Sequence, residues 1–276
     1  MHGGDGGGAI FRSLIFVCAF VSLFSFEIKP WLPQPWELSL NPFFTYEWYP
    51  NVADGSETYS SNNRYLGIML DVPAWPQWDG QIELAYADTK EVNWDLQRLG
   101  AMVRYQFLDD IQGDLVSVTS DFAFLWVPRV NQNDPSCPYA KMWNFELGTS
   151  VGKEFSSGPF WIFRTFGRAA IGQSTQGPPW LRFIADVAGN FSNSWRLSAF
   201  GEAYLGFGSQ TTVDVDNFDG YAHIAHRSVD VGGKLAYHFN IWGDLSLGYF
   251  YRVFAKAFPE QNQSITLKYS FPFSPI

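Results

Sequence analysis

One pattern, repeated along most of the chain, restricts what it can fold into. Segments of about ten residues alternate apolar and polar side chains, which is the period of a strand, because successive residues point to opposite faces. In the last segment Ile265, Leu267, Tyr269 and Phe271 share one face, while Ser264, Thr266, Lys268 and Ser270 share the other. In the preceding one Leu245, Leu247, Tyr249, Tyr251 and Val253 oppose Ser246, Gly248, Phe250, Arg252 and Phe254. The same reading predicts strands near 43–49, 64–72, 81–88, 96–107, 115–126, 143–155, 160–172, 180–191, 195–207, 228–239, 244–256 and 263–272. That makes about twelve, an even number, as a closed up-and-down barrel of one chain requires.

The connections carry independent information. Asp109, Asp110 and Gly113 mark one tight link, and 156–159, 192–194 and 240–243 are three more. The links at 50–63, 127–142, 173–179, 208–227 and 257–262 are mostly longer, so long and short alternate. The link at 73–80, with Trp75 and Trp78, is too long for a tight turn and fits less well. Aromatic residues gather at strand ends. Phe107, Phe155, Trp161, Phe191, Trp195, Phe239 and Phe271 fall at the short-link rim; Trp94, Trp126, Trp143, Trp180 and Phe207 fall at the other. Two aromatic bands separated by apolar strands suit a bilayer with a headgroup layer on each side.

Composition excludes the soluble alternatives. Only 16% of residues are charged and 18% are aromatic, against roughly 25% charged in ordinary globular domains. A soluble β-sandwich or lipocalin-like barrel turns its apolar face inward and covers its outside with charge, and twelve strands whose other face is half Gly, Ser and Ala beside its charges could not all be covered that way. The net charge of -9 argues against nucleic acid as a partner. Arg12 followed by the uncharged run from Leu14 to Phe26 reads as an export signal, too short to span as a helix. The expected organisation is a signal peptide over 1–25, a periplasmic segment over 26–42 and a barrel over 43–276. Cys137 is then the only cysteine of the mature chain. It is expected on a long outer loop, open to thiol reagents.

The architecture resembles the outer-membrane β-barrel proteins of Gram-negative-type bacteria, porin-like and all-β, over residues 43–276. It is a likeness of pattern, carried by no family motif. It implies an antiparallel transmembrane barrel with short periplasmic turns and longer extracellular loops. It also implies outer-membrane lipids, lipopolysaccharide and the barrel-assembly machinery as partners. Phe271 and Phe273 sit in the phase of the aromatic residue on which such proteins often finish, but Ser274-Pro275-Ile276 follow.

If the apolar face meets lipid, the polar face lines the interior. Arg98, Arg104, Arg164, Arg168, Arg182, Arg196, Lys234, Arg252, Lys256 and Lys268 then face inward with Glu47, Asp71, Glu83, Asp121, Glu146, Glu154, Asp186, Glu202 and Asp230. Opposed rows of charge orient anionic or dipolar solutes; the same charges, paired across strands, would plug a narrow barrel. The selectivity candidates are Arg164, Arg168, Arg182, Arg196, Arg252, Lys234, Lys268, Glu202 and Asp186. The interior aromatics Phe166, Phe200, Tyr204, Phe250 and Phe254 would stack on a solute or fill volume. Arginine rows with aromatics are similar to those of twelve-stranded channels for acidic sugars and nucleosides. The expected function is passive diffusion of small polar solutes, anions among them. Two alternatives stand beside it: a lipid hydrolase and a barrel with a purely structural role. His226 and Ser228 have the His-x-Ser spacing of lipid A deacylases, with Asp230 next on that face to orient the imidazole. Asp214, Asp216 and Asp219 form an acidic cluster without the regular spacing of a calcium loop. No motif calls for a cofactor.

Overall fold

A computed structural model describes residues 26–158, 160–192 and 194–274; the expected signal peptide over 1–25 lies outside them. Twelve long antiparallel strands close into a barrel. In chain order they are β1 (Leu38–Tyr49), β2 (Ser61–Trp75), β3 (Trp78–Asp88), β4 (Asp95–Leu108), β5 (Ser117–Trp126), β6 (Trp143–Ser157), β7 (Phe160–Ser174), β8 (Trp180–Phe191), β9 (Trp195–Gly206), β10 (Arg227–His238), β11 (Asp244–Lys256) and β12 (Gln263–Phe273). Each pairs with its sequence neighbours. β1 closes the ring, with Phe44 opposite Leu66 of β2 and Leu267 of β12.

The alternation in sequence becomes an alternation in burial. Along β2, Ser61, Asn63, Tyr65, Met69 and Asp71 are buried, while Leu66 and Ile68 between them lie on the outside. The arrangement is inverted relative to a soluble barrel: polar groups inside, leucine, isoleucine, valine and phenylalanine outside. Such a surface is stable only against hydrocarbon, where closure leaves no strand edge with unpaired backbone groups.

Several expectations are corrected by local geometry. The segment 26–42 divides at Leu38, where β1 begins, and residues 26–31 run inside the barrel rather than beside it. The link expected at 73–80 is a tight one. β2 runs to Trp75 and β3 starts at Trp78, and these two residues pair. Phe254 and Lys256, expected inside, are exposed, Phe254 by 50%. The register of β10 with β11 steps from Asp230–Arg252 to Val229–Phe254, so Val253 is an extra residue and the bulge reverses the phase beyond it. Trp180 points inward and is buried, its indole donating to Glu146. Trp161 turns inward too, its ring 4.6 Å from the Arg164 guanidinium. Cys137 is 1% exposed, because the loop 127–142 folds down into the barrel mouth.

Candidate functional site

The interior has three parts, each set by which residues face it. The first is a ladder of charge on β5–β9. Asp121 accepts from Arg168 at 2.6 and 3.0 Å, and Arg168 also reaches Glu146 at 2.8 Å. Glu146 meets Arg182 at 3.5 Å, and Arg182 donates to Glu202 at 2.7 Å. All five side chains are buried, three acids against two bases. Around the rest of the wall Arg98 pairs with Glu83, Arg104 with Asp79, Arg164 with Glu154, and Arg252 with Asp230 through two bonds of 2.7 and 2.8 Å. The arginines singled out from sequence are therefore inside but partnered.

The second part is a strap, residues 26–31, lying along the inner wall of β3–β8. Its carbonyls are captured one after another. Ser150 donates to Ile28 at 2.6 Å, Arg104 to Lys29 at 3.1 Å, and Thr119 and Gln106 to Pro30 at 2.6 and 3.1 Å. Trp31 donates to Asp110 at 2.9 Å. Two glycines make the seat. A side chain at Gly100 would collide with the Phe26 ring, and one at Gly152 with Pro30, each at 2.7 Å. The sequence gives no periodic signal for a strap this short.

The third part is a cleft between the strap and the wall of β8–β12. The strands supply it in cross-strand rows. Arg196, Ala236, Ser246 and Lys268 make one; Ser198, Lys234, Gly248, Thr266 and Thr45 make the next. Two connected chambers, of about 130 and 140 Å³, share Glu27, Lys29, Asp186, Lys234 and Lys268 in their walls. The lower one reaches the short-link rim, where Arg196 pairs with Asp244 at 2.9 Å and both side chains stay about a third exposed. Lys29 pairs with Glu27 at 3.1 Å, and Lys234 and Lys268 form no ion pair among the described residues. Burial alone would raise the Glu27 carboxyl, but Lys29, Lys234 and Lys268 outweigh it and hold the group below the usual carboxylate range. Above the cleft, Phe250 and Arg252 narrow the lumen to a chamber of about 60 Å³.

Loops close the other rim. Tyr221 donates to the Pro135 carbonyl at 2.8 Å, Tyr49 shares a 2.8 Å bond with Ser136, and Asn131 donates to Leu96 at 2.7 Å. Asp134 accepts from Thr89 at 2.5 Å and from the Ser136 backbone at 2.8 Å. Burial pushes its carboxyl above the usual range and raises the Cys137 thiol as well.

The fold has counterparts among known structures. No family model and no curated protein matches the chain. An outer membrane channel from Pseudomonas putida F1 is similar, at 11% identity and a TM-score of 0.65, over 88% of this chain and 97% of that one. The fold is that of outer-membrane β-barrels. The NanC porin is similar at 10% identity and TM-score 0.57, covering 84% of this chain and 98% of its own. The translocator domain of the autotransporter NalP from Neisseria meningitidis follows at 10% and 0.51, over 86% of this chain and 88% of that one.

The catalytic candidates are not assembled. His226 packs its ring against Phe258 and Tyr204, and its Nδ1 lies 3.0 Å from the Ile224 carbonyl. Asp230, the expected orienting group, is bound to Arg252 instead. The acidic loop is equally dispersed. Asp214 accepts from Asn217 and Asp219 pairs with Lys141 at 2.5 Å. Among the described residues no group of three or more His, Cys, Asp or Glu side chains is placed to hold a metal ion.

Proposed function

We propose that the protein is an outer-membrane channel for passive diffusion of small polar solutes, with anions preferred. The observation that carries this is the cleft: a water-accessible, lysine-rich passage along β8–β12 in a barrel whose interior arginines are held in ion pairs. Arginine and lysine facing a lumen of low dielectric raise the local concentration of anions. The loops 127–142 and 207–226 are the gate in this reading. They are held by side-chain hydrogen bonds at the mouth, and conduction requires them to swing outward. Outer-membrane lipids and lipopolysaccharide would bathe the apolar belt, and the barrel-assembly machinery would insert the strands.

Reconstitution in planar bilayers tests the reading. Stepwise conductance is expected, with a reversal potential in a salt gradient displaced toward the anion. Replacing Lys234 and Lys268 together by Met should move that potential toward cation preference. A folded barrel that stays silent, also after Tyr221→Phe loosens the mouth, would overturn the channel and leave a structural role.

A further inference from the structure

Within that channel reading, we infer that the cleft is a binding site for one single-ring organic monoanion, an aromatic or alicyclic carboxylate. Three properties of the cavity select this class. The first is size. The upper chamber holds about 140 Å³, close to the roughly 150 Å³ cavity that accommodates benzene in an engineered protein core. A chamber of that volume takes one six-membered ring.

The second is the mixed chemistry of its walls. Phe26, Phe43, Phe166 and Ile184 supply carbon surface and Lys29, Lys234 and Lys268 supply ammonium groups, with Phe43 directly beside Lys268 in the pairing of β1 with β12. Between them stand small or hydroxylated residues, Ser198, Ser246, Gly248 and Thr266. Lys234 lies opposite Gly248 and Lys268 opposite Ser246, two positions apart on β11. The two lysines come from strands on either side of β11 and are offset by two residues along it, so their backbones are roughly 12 Å apart. Both lysines line the same chamber as Gly248.

The third is charge. The walls shared by the two chambers carry three ammonium groups and two carboxylates, Glu27 and Asp186. In these shared walls one positive charge is left over; Glu202, which also lines the upper chamber, is held by Arg182 at 2.7 Å, and Glu27 is engaged by Lys29 at 3.1 Å. A monoanion brings the cleft to neutrality; a dianion overshoots, and a neutral ring leaves the lysines without a counter-charge in a poorly hydrated place.

Benzoate is the probe. Titrated into the purified protein in detergent and followed by calorimetry, it should bind saturably with one site per barrel. Acetate, which lacks the ring, and benzyl alcohol, which lacks the charge, should each bind at least about tenfold more weakly, a difference of ~1.4 kcal/mol. Lys234→Met and Lys268→Met should each weaken benzoate by a similar factor. Gly248→Leu, which fills the chamber from β11, should abolish binding while heat-modified electrophoretic mobility reports an intact barrel. Acetate binding as tightly as benzoate would overturn the proposal in the wild-type protein without any variant. The same preparation placed in bilayers separates the two readings. Benzoate binding without conductance overturns the channel and keeps the site. Conductance without saturable benzoate binding overturns the site and keeps the channel.

Discussion

The ladder Asp121–Arg168–Glu146–Arg182–Glu202 makes an unequal forecast for two neighbouring substitutions. The five groups are fully buried and carry three negative charges against two positive. Glu146→Gln removes the surplus acid. Asp121 keeps both bonds from Arg168, Arg182 keeps Glu202, and two clean pairs remain, so the cost should stay below about 1 kcal/mol. Arg168→Met does the reverse. Asp121 loses its one ion-pair partner among the described residues, and Glu146 retains one at 3.5 Å. Breaking a buried pair this way costs about 3–5 kcal/mol, because a desolvated charge is left behind. Urea unfolding from phospholipid vesicles, followed by tryptophan fluorescence, measures both. An Arg168→Met variant no less stable than Glu146→Gln would refute the reasoning. It would mean that water screens these groups to the 0–1 kcal/mol of surface pairs, and hence that the β5–β9 side of the lumen is wet.

Three further outcomes are expected. Leu247 is 46% exposed on the lipid face and Ser246 faces the cleft; Leu247→Arg should cost about 2–4 kcal/mol at mid-membrane, while Ser246→Arg should still fold by mobility shift. Cys137 on intact cells should resist a membrane-impermeant maleimide and react only after denaturation; prompt labelling would show the loop 127–142 outside the mouth. His226, outside the strands, has its imidazole lowered by burial from 6.5 to about 4. The folded state favours the neutral ring, so this stability is complete above pH 6.5 and is lost as pH falls toward 4. His226→Phe should flatten the acid limb of the unfolding midpoint plotted against pH, and an unchanged limb would contradict the assignment.

The barrel was legible because its information is local and periodic. Each strand declares its two faces, and the lipid favours apolar residues on one of them. The errors fall where one residue breaks the period. Val253 bulges and sends Phe254 and Lys256 outward, against the alternation that placed both inside. Trp180 looked like a headgroup-belt residue because it starts a strand, yet its indole donates to the buried Glu146. The cleft's lysines were visible from their phase, but not that Lys234 and Lys268 stay unpaired while Arg168 and Arg182 are doubly engaged. That depends on register between strands, which alternation does not encode. The strap and the inward loops were illegible for a related reason. Their contacts are to side chains far away in sequence, such as Thr119 holding Pro30.

The ladder also bears on how twelve similar strands find their places. A strand that slips by one residue turns its polar face to lipid, and hydrocarbon rejects it. A slip by two is the dangerous error, since it restores the inside–outside pattern and the bilayer cannot tell the difference. It displaces every side chain by about 6.6 Å along the strand, and bonds of 2.6 to 2.8 Å between Asp121, Arg168 and Glu146 do not survive that. Lipid thus polices the odd misalignments and the buried charges police the even ones, so that neither agent alone specifies the barrel and the two together leave a single way to zip it shut.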